Sequence, residues 1–164
     1  MRSPIAKEGF IFVIPLAFLA AAFYSFSYYW VAGLFEGLFL FCAWFFRDPN
    51  RVIPQEPNVI VSPADGKVVE IIKESDSLLP NENYTRVSVF LNVFNVHVNR
   101  VPIAGKIQAV RYNKGKFLNA ASHKASLDNE QNAILLDNGS SKILVKQIAG
   151  LIARRIVCFA KEGD

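Results

Sequence analysis

Two residues of this sequence, Asp65 and His97, have the types and settings that proton-transfer chemistry needs. Asp65 lies between two apolar runs in the segment SPADGK, and His97 lies in the segment NVFNVHVNR. Histidine is the side chain best suited to move a proton near neutral pH. Both residues also have structural explanations, because Asp before Gly commonly forms a turn and a histidine between asparagines fits an edge-strand surface.

The apolar pattern around His97 predicts a bend. Apolar residues are odd-numbered over 87–93 and even-numbered over 94–98, so the inward face changes near residues 93 and 94. Bulges and bends of this kind are common beside active sites. Beyond the change, a strand would present Asn95, His97 and Asn99 on one face, which makes the two asparagines candidate substrate-binding residues.

A basic segment, Arg100–Lys124, follows the histidine and contains six basic side chains and no acidic one. Attraction to anionic lipid headgroups, about 1 kcal/mol per basic residue near such a surface, is favoured over a merely solvated basic face. His123 is either a loop surface residue or a headgroup contact. Nucleic acid is not an expected partner, because the segment has no stacking motif.

The elements that position these residues begin with an apolar stretch, Gly9–Phe46, in which Glu36 is the single charged side chain. Thirty-eight residues are too many for one membrane-spanning helix, which needs about 20. The sequence therefore predicts two helices, Phe10–Tyr24 and Tyr28–Phe46, with the break at Ser25–Ser27.

Cationic residues flank this stretch at both ends, Arg2 and Lys7 before it and Arg47 and Arg51 after it. Because cationic flanks stay in the cytoplasm, we expect a membrane hairpin with both ends and the following domain on the cytoplasmic side of the cell membrane. Two alternatives stay open: a signal peptide cleaved near Ala20–Ala22 and a core helix of a soluble protein.

The remainder of the chain is typical of a small β domain. A proline-rich linker, residues 47–57, separates the membrane segment, residues 1–46, from the β-rich domain, residues 58–164. Short β-branched runs divided by turn residues favour a mainly β fold, a β-sandwich or barrel-sandwich. The expected strands are Lys67–Ile72, Arg86–Val93, Val96–Val101, Lys106–Tyr112, Ala133–Leu136, Lys142–Ile148 and Ile152–Phe159, and the run DNGS at 137–140 predicts a hairpin.

Composition excludes several classes of protein. A hydrophobic content of 52% excludes intrinsic disorder, and two cysteines exclude a disulfide-stapled scaffold. The cysteines and two histidines lack zinc-ligand spacing, so we expect no metal. Phosphate-cradling glycine loops and Gly-x-Ser-x-Gly elbows are also missing from the sequence.

Four ordered motifs resemble the short archaeal and bacterial form of the phosphatidylserine decarboxylase family. They are Phe45–Arg51 (FFRDPNR), Ser62–Val69 (SPADGKVV), Asn92–Pro102 (NVFNVHVNRVP) and Asn129–Asn132 (NEQN). The resemblance covers essentially the whole chain. It implies a carboxy-lyase of phospholipid biosynthesis, made as a zymogen, that converts phosphatidylserine to phosphatidylethanolamine and carbon dioxide.

The resemblance also implies the mechanism. The proenzyme cuts itself at a Gly-Ser bond, and the serine becomes a covalent pyruvoyl group at the head of a small subunit. That group forms a Schiff base with the substrate amine and accepts the electrons released on decarboxylation. Asp65 and His97 match the acidic residue and the histidine that activate the serine, with Asp65 fixing the histidine tautomer.

The sequence departs from the family pattern in two places. The resemblance implies a Gly-Ser cleavage site downstream of a turn like Lys161–Asp164, at which this sequence ends, so the cleavage serine is expected beyond residue 164. Ser140 also follows a glycine, but it sits in the expected hairpin and its surroundings do not match the family's site. These 164 residues alone are therefore expected to lack activity and to need a small pyruvoyl-bearing subunit. Unlike that of longer family members, the His97 motif has Arg100 at the place of a second histidine, and His123 is a candidate for the role of that histidine. Arg100 and His123 are also candidate substrate-binding residues.

Two other interpretations stay open. Archaetidylserine has the same headgroup chemistry, and nothing in the sequence reports the lipid tail. A biotinyl or lipoyl carrier module has similar turns, but the modified lysine of such modules has no counterpart here. Self-association into a homo-oligomer is also left open.

Overall fold

The computed structural model describes residues 3–56, 59–118 and 125–164, with the backbone alone at 80–82 and 125–126. The chain forms two compact units. The first comprises Met1–Asn58, Ala64–Gly66 and Leu91–Arg100, and the second comprises Val59–Pro63, Lys67–Phe90 and Val101–Asp164. Asp65 and His97 thus belong to the first unit.

A helical hairpin forms most of the first unit, as predicted. After a 3₁₀ turn at Lys7–Gly9, helix α1 spans Phe10–Ser25 and helix α2 spans Tyr29–Phe45. The chain reverses at Ser27, whose φ of 62° is the left-handed conformation that lets so short a connection close. Segment Lys7–Ser25, with a mean hydropathy of 1.8, is long and apolar enough to cross a membrane, and α2 is a shorter apolar helix.

The amino-terminal residues pack beside the end of α2. Ala6 N–H donates to the carbonyl of Phe46 at 2.8 Å, and Asp48 N–H donates to the carbonyl of Pro4 at 2.7 Å. Gly9 makes this packing possible, because a Cβ there would lie 2.5 Å from Cβ of Phe46. The chain leaving α2 is therefore held in place from its first residues.

The second unit contains two antiparallel sheets. Strands β1, Lys67–Asp76, and β2, Leu79–Phe90, form one; strands β3, Lys106–Asn113, β4, Gln131–Asp137, and β5, Lys142–Ile148, form the other in the order β3-β4-β5. A helix of one turn, Ala125–Asp128, precedes β4. The predicted class, a mainly β domain after a helical hairpin, is confirmed.

The core of the three-stranded sheet lies on its central strand, β4. Ala133, Leu135 and Leu136 are buried, and Leu136 is 2% exposed. The predicted β4–β5 hairpin is confirmed, with Gly139 at a φ of +87°. Asn138 explains the sharp turn, because its side-chain oxygen accepts the backbone N–H groups of Ser140 and Ser141.

Two predicted strands are wrong. Residues 96–101 and 152–159 are all described, and neither run pairs with another strand. Alternating apolar residues have the same pattern in an extended loop as in a strand, so the alternation misled the prediction. In the second run, local bonds replace the ladder, such as that from Arg154 N–H to the carbonyl of Ile152 at 3.0 Å. Strand β2 also starts earlier than expected and ends at Phe90.

Replacing Asn129 by Ala should lower the free energy of unfolding by about 2 to 4 kcal/mol. Asn129 is 2% exposed, and its amide bonds both backbone groups of Leu118 and the carbonyl of Ala149 at 2.8–2.9 Å. Each buried partner left without a bond costs about 1–3 kcal/mol. Thermal unfolding in detergent checks this. Asn113→Ala, at an exposed position of the same unit, is the control and should unfold like the wild type.

Candidate active site

His97 lies half-buried in the first unit, in the loop that follows β2, and two contacts fix its ring. Nδ1 lies 3.0 Å from the backbone carbonyl oxygen of Asn95. The imidazole stacks on the ring of Phe45, the last residue of α2, with centroids 4.2 Å apart and planes 23° apart. The ring is therefore held both in its plane and along one edge.

These contacts define the protonation of His97. A carbonyl oxygen only accepts hydrogen bonds, so Nδ1 carries the proton and Nε2 of the neutral ring carries a lone pair. Burial lowers the pKa of His97 below its usual value, and the positive charge of Arg47 lowers it further, although the bond to Asn95 opposes both effects. The His97 ring is therefore neutral at physiological pH.

The bend predicted before His97 is confirmed, and asparagines make it. Two side-chain hydrogen bonds stabilise the turn. The Asn92 side chain accepts the N–H of Phe94 at 2.9 Å, and the Asn95 side chain accepts the N–H of Asn92 at 2.8 Å. Side-chain bonds of this kind compete with strand pairing. Asn95, His97 and Asn99 therefore do not share the face of a strand, contrary to the prediction.

The turn is tied to the end of α2 through one carbonyl oxygen, that of Phe94. Arg47 Nη2 donates to it at 2.9 Å and Trp44 Nε1 donates to it at 3.2 Å. The Arg47 guanidinium also lies over the Trp44 ring, 4.2 Å from its centroid, in a cation–π contact. The loop that carries His97 is consequently anchored on the last turn of the apolar hairpin.

Asp65 lies between bends at residues 63–64 and at Gly66, close to the turn expected for Asp before Gly, and forms an ion pair with Arg51. Its carboxylate is 40% exposed. Asp65 and His97 both lie among the described residues, and no hydrogen bond joins them. In this structure the tautomer of His97 is accordingly fixed by the Asn95 carbonyl, and the role of Asp65 stays a prediction.

The four candidate substrate-binding residues have different surroundings. Asn95 builds the turn, Asn99 is half-buried beside it, and Arg100 forms an ion pair with Asp48. His123 lies outside the described residues. The structure thus joins Asn95 to His97 directly and engages Arg100 in an ion pair.

Sequence reasoning used the segment Phe45–Arg51, which begins at the last residue of α2, only as a family motif and as a cationic flank, and gave it no role in the site. Four of its side chains contact different parts of the site: Phe45 the His97 ring, Arg47 the turn, Asp48 the residue Arg100, and Arg51 the residue Asp65. A dense run of charged residues directly after an apolar helix was the available signal. Among the described residues, no three His, Cys, Asp or Glu side chains cluster as metal ligands would.

Comparisons with known proteins agree with the motifs. A family model described as phosphatidylserine decarboxylase matches residues 38–164. A phosphatidylserine decarboxylase proenzyme of Syntrophotalea carbinolica is 49% identical over 99% of this chain and 77% of its own length. Two further proteins of the same name are also similar. The one from Syntrophus aciditrophicus is 48% identical over 98% of this chain and 76% of its own length. The one from Ruegeria pomeroyi is 52% identical over 78% of this chain and 60% of its own length.

Proposed function

Because the chain belongs to the phosphatidylserine decarboxylase family, we propose that it acts in the conversion of phosphatidylserine to phosphatidylethanolamine and carbon dioxide. The observation that carries this proposal is the 49% identity to a proenzyme of that name over 99% of the chain. The reaction is that of a carboxy-lyase in phospholipid metabolism, and the proenzyme is processed into two subunits.

The cofactor proposed for this chemistry is a covalent pyruvoyl group, made from a serine expected downstream of Asp164. When present, such a carbonyl takes up the amine of the substrate and withdraws the electrons released as carbon dioxide leaves. His97 fits the formation of the group, since activating a serine hydroxyl requires a neutral base with an available lone pair. The half-buried ring, with Nδ1 bonded to Asn95, offers that lone pair at Nε2.

The remaining residues have proposed supporting roles. His97 Nε2 takes the hydroxyl proton, and the Asn95 carbonyl stabilises the imidazolium through Nδ1–H. Asp65 supplies a negative charge to the same reaction. Asn99 and His123 are proposed headgroup contacts, whereas Asn95 and Arg100 support binding through the loop that they stabilise.

The proposed setting is the cytoplasmic face of a membrane. Large apolar side chains of the hairpin are exposed, among them Ile11 and Phe18 at 72% and Trp30 at 95%, as lipid contact requires. Four basic side chains of the segment Arg100–Lys124 are also exposed, and they would attract anionic lipid: Lys106, Arg111, Lys114 and Lys116.

The activity is tested on the full-length proenzyme, purified in detergent and supplied with phosphatidylserine in mixed micelles. We expect intact mass spectrometry to find two chains, the smaller one blocked by a pyruvoyl group, and we expect phosphatidylethanolamine to form. Decarboxylation by a chain that is never cleaved would contradict the proposed cofactor. Complete cleavage without product would contradict the proposed substrate.

Self-cleavage should depend on pH with an acid limb below the ordinary histidine value of 6.5. Burial lowers the pKa of His97, so the folded precursor keeps the neutral, active ring as the pH falls through 6.5 and loses it only at lower pH. The lowered pKa also contributes to the free energy of unfolding. That contribution is fully present above pH 6.5 and is lost as the pH falls through the lowered pKa of the folded protein. Cleavage rates measured from pH 4.5 to 8 check this, and an acid limb centred above 6.5 would contradict it.

A further inference from the structure

We propose that Phe45 is a positioning residue for His97: its ring fixes the plane of the imidazole and hence the direction of the Nε2 lone pair. The inference rests on the proposed role of His97 as the base in self-cleavage. Phe45 is the last residue of an apolar helix, a position that by itself suggests only a role in anchoring the chain. The proposal gives Phe45 a part in self-cleavage as well.

Two restraints together determine where Nε2 points. The bond from Nδ1 to the Asn95 carbonyl, 3.0 Å long, restrains one edge of the ring but leaves the ring free to tilt about that edge. The stacked ring of Phe45, 4.2 Å away between centroids and 23° from parallel, removes the tilt. Without Phe45 the lone pair would sweep over a range of directions.

Phe45 can act in this way because its own position is fixed. It is the last residue of α2, and its neighbours Trp44 and Arg47 both donate hydrogen bonds to the Phe94 carbonyl. Those two donors match the two lone pairs of that oxygen, which is therefore fully used. The stacking partner and the loop carrying His97 are thus joined at a second point.

The charges around His97 support the same assignment. Arg47 is the charged side chain whose field acts on the ring, and it lowers the pKa of His97 together with burial. Asp48 is neutralised by Arg100, and Asp65 by Arg51. Since burial is the larger cause, removing the Phe45 ring should admit water and raise the pKa of His97 towards its ordinary value.

The test measures self-cleavage of full-length precursors against pH. Phe45→Leu keeps an apolar side chain, somewhat smaller than Phe, and removes the ring face. Phe45→Met does the same with an unbranched chain and is used if the leucine variant fails to fold. We expect cleavage to slow by about 10- to 100-fold, the cost of a base misplaced by roughly 1 Å, and the acid limb to move to higher pH. Phe45→Tyr, which keeps the stacked ring, should restore both.

Phe18→Leu is the matched control, because Phe18 lies in α1 and is 72% exposed; it should cleave as the wild type does. Wild-type rate and pH profile in folded Phe45→Leu or Phe45→Met would overturn the inference. So would equal slowing in Phe45→Leu and Phe45→Tyr. His97→Ala, assayed in parallel, separates the two hypotheses: normal cleavage there removes the proposed base itself, whereas blocked cleavage with a normal Phe45→Leu removes the positioning role alone.

Discussion

Replacing His97 by Ala in the full-length proenzyme should leave the precursor uncleaved on a denaturing gel. Activating a serine hydroxyl needs a neutral base whose pKa lies near the working pH, and an imidazole meets this need. A positioned base contributes about 10²- to 10⁴-fold to the rate of such a step. Cleavage followed over hours to days resolves a loss of that size. The Nδ1 bond to Asn95 and the stacking on Phe45 are the geometric reasons for expecting the large effect.

The comparison variant is His123→Ala, which removes the second histidine of the chain. We expect it to cleave normally and, if His123 binds the headgroup, to decarboxylate more slowly afterwards. Normal cleavage of His97→Ala would remove His97 from the step. Equal loss of cleavage in both histidine variants would show that neither has a distinct role in it.

Asp65→Asn should slow self-cleavage strongly, because it removes the negative charge proposed to act in the reaction. The loss in a serine triad, on the order of 10⁴-fold, is an upper bound, since the Asn95 carbonyl and not Asp65 fixes the tautomer of His97 in this structure. The structure adds a sharper version of this experiment, because Asp65 is paired with Arg51. Arg51→Gln keeps the carboxylate and removes the ion pair. A pair this exposed contributes about 1 kcal/mol or less, so Arg51→Gln should slow cleavage no more than about fivefold.

Cleavage rates of the two variants, measured side by side, distinguish a charge that acts on the reaction from one that holds a bend. A large loss in Asp65→Asn with little change in Arg51→Gln supports the first role. Similar small losses in both variants would mean that Asp65 contributes through its pairing with Arg51 and would sink its proposed part in the reaction.

The sequence predicted elements whose signals are local. The apolar stretch specified both helices and their break, because helix length in a bilayer is fixed by geometry. Strands β3, β4 and β5 were also predicted, because their signals are local: apolar residues alternate along each strand, and the turn at residues 137–140 joins β4 to β5. Residue type together with the change of apolar parity near residues 93 and 94 was enough to select His97 as a candidate.

The partners of His97 could not be predicted in this way. Trp44 and Phe94 are 50 positions apart, and Arg47 and Phe94 are 47 apart, so no local pattern joins them. The change of apolar parity predicted the turn made by Asn92 and Asn95, but the loop at residues 96–101 was still taken for a strand because its apolar residues continue to alternate after the turn. The sequence did not show the environment that lowers the pKa of the histidine and keeps its ring neutral.

The last turn of α2 has a consequence for anyone who wants a water-soluble form of this enzyme. Removing the apolar hairpin is one way to obtain such a form. Here Trp44 and Phe45 belong to the helix that trimming would discard, and they are the residues that contact the turn and the imidazole. Solubilisation should therefore proceed by exchanging exposed apolar side chains, such as Ile11, Phe18 and Trp30, for polar ones while the helix itself is kept.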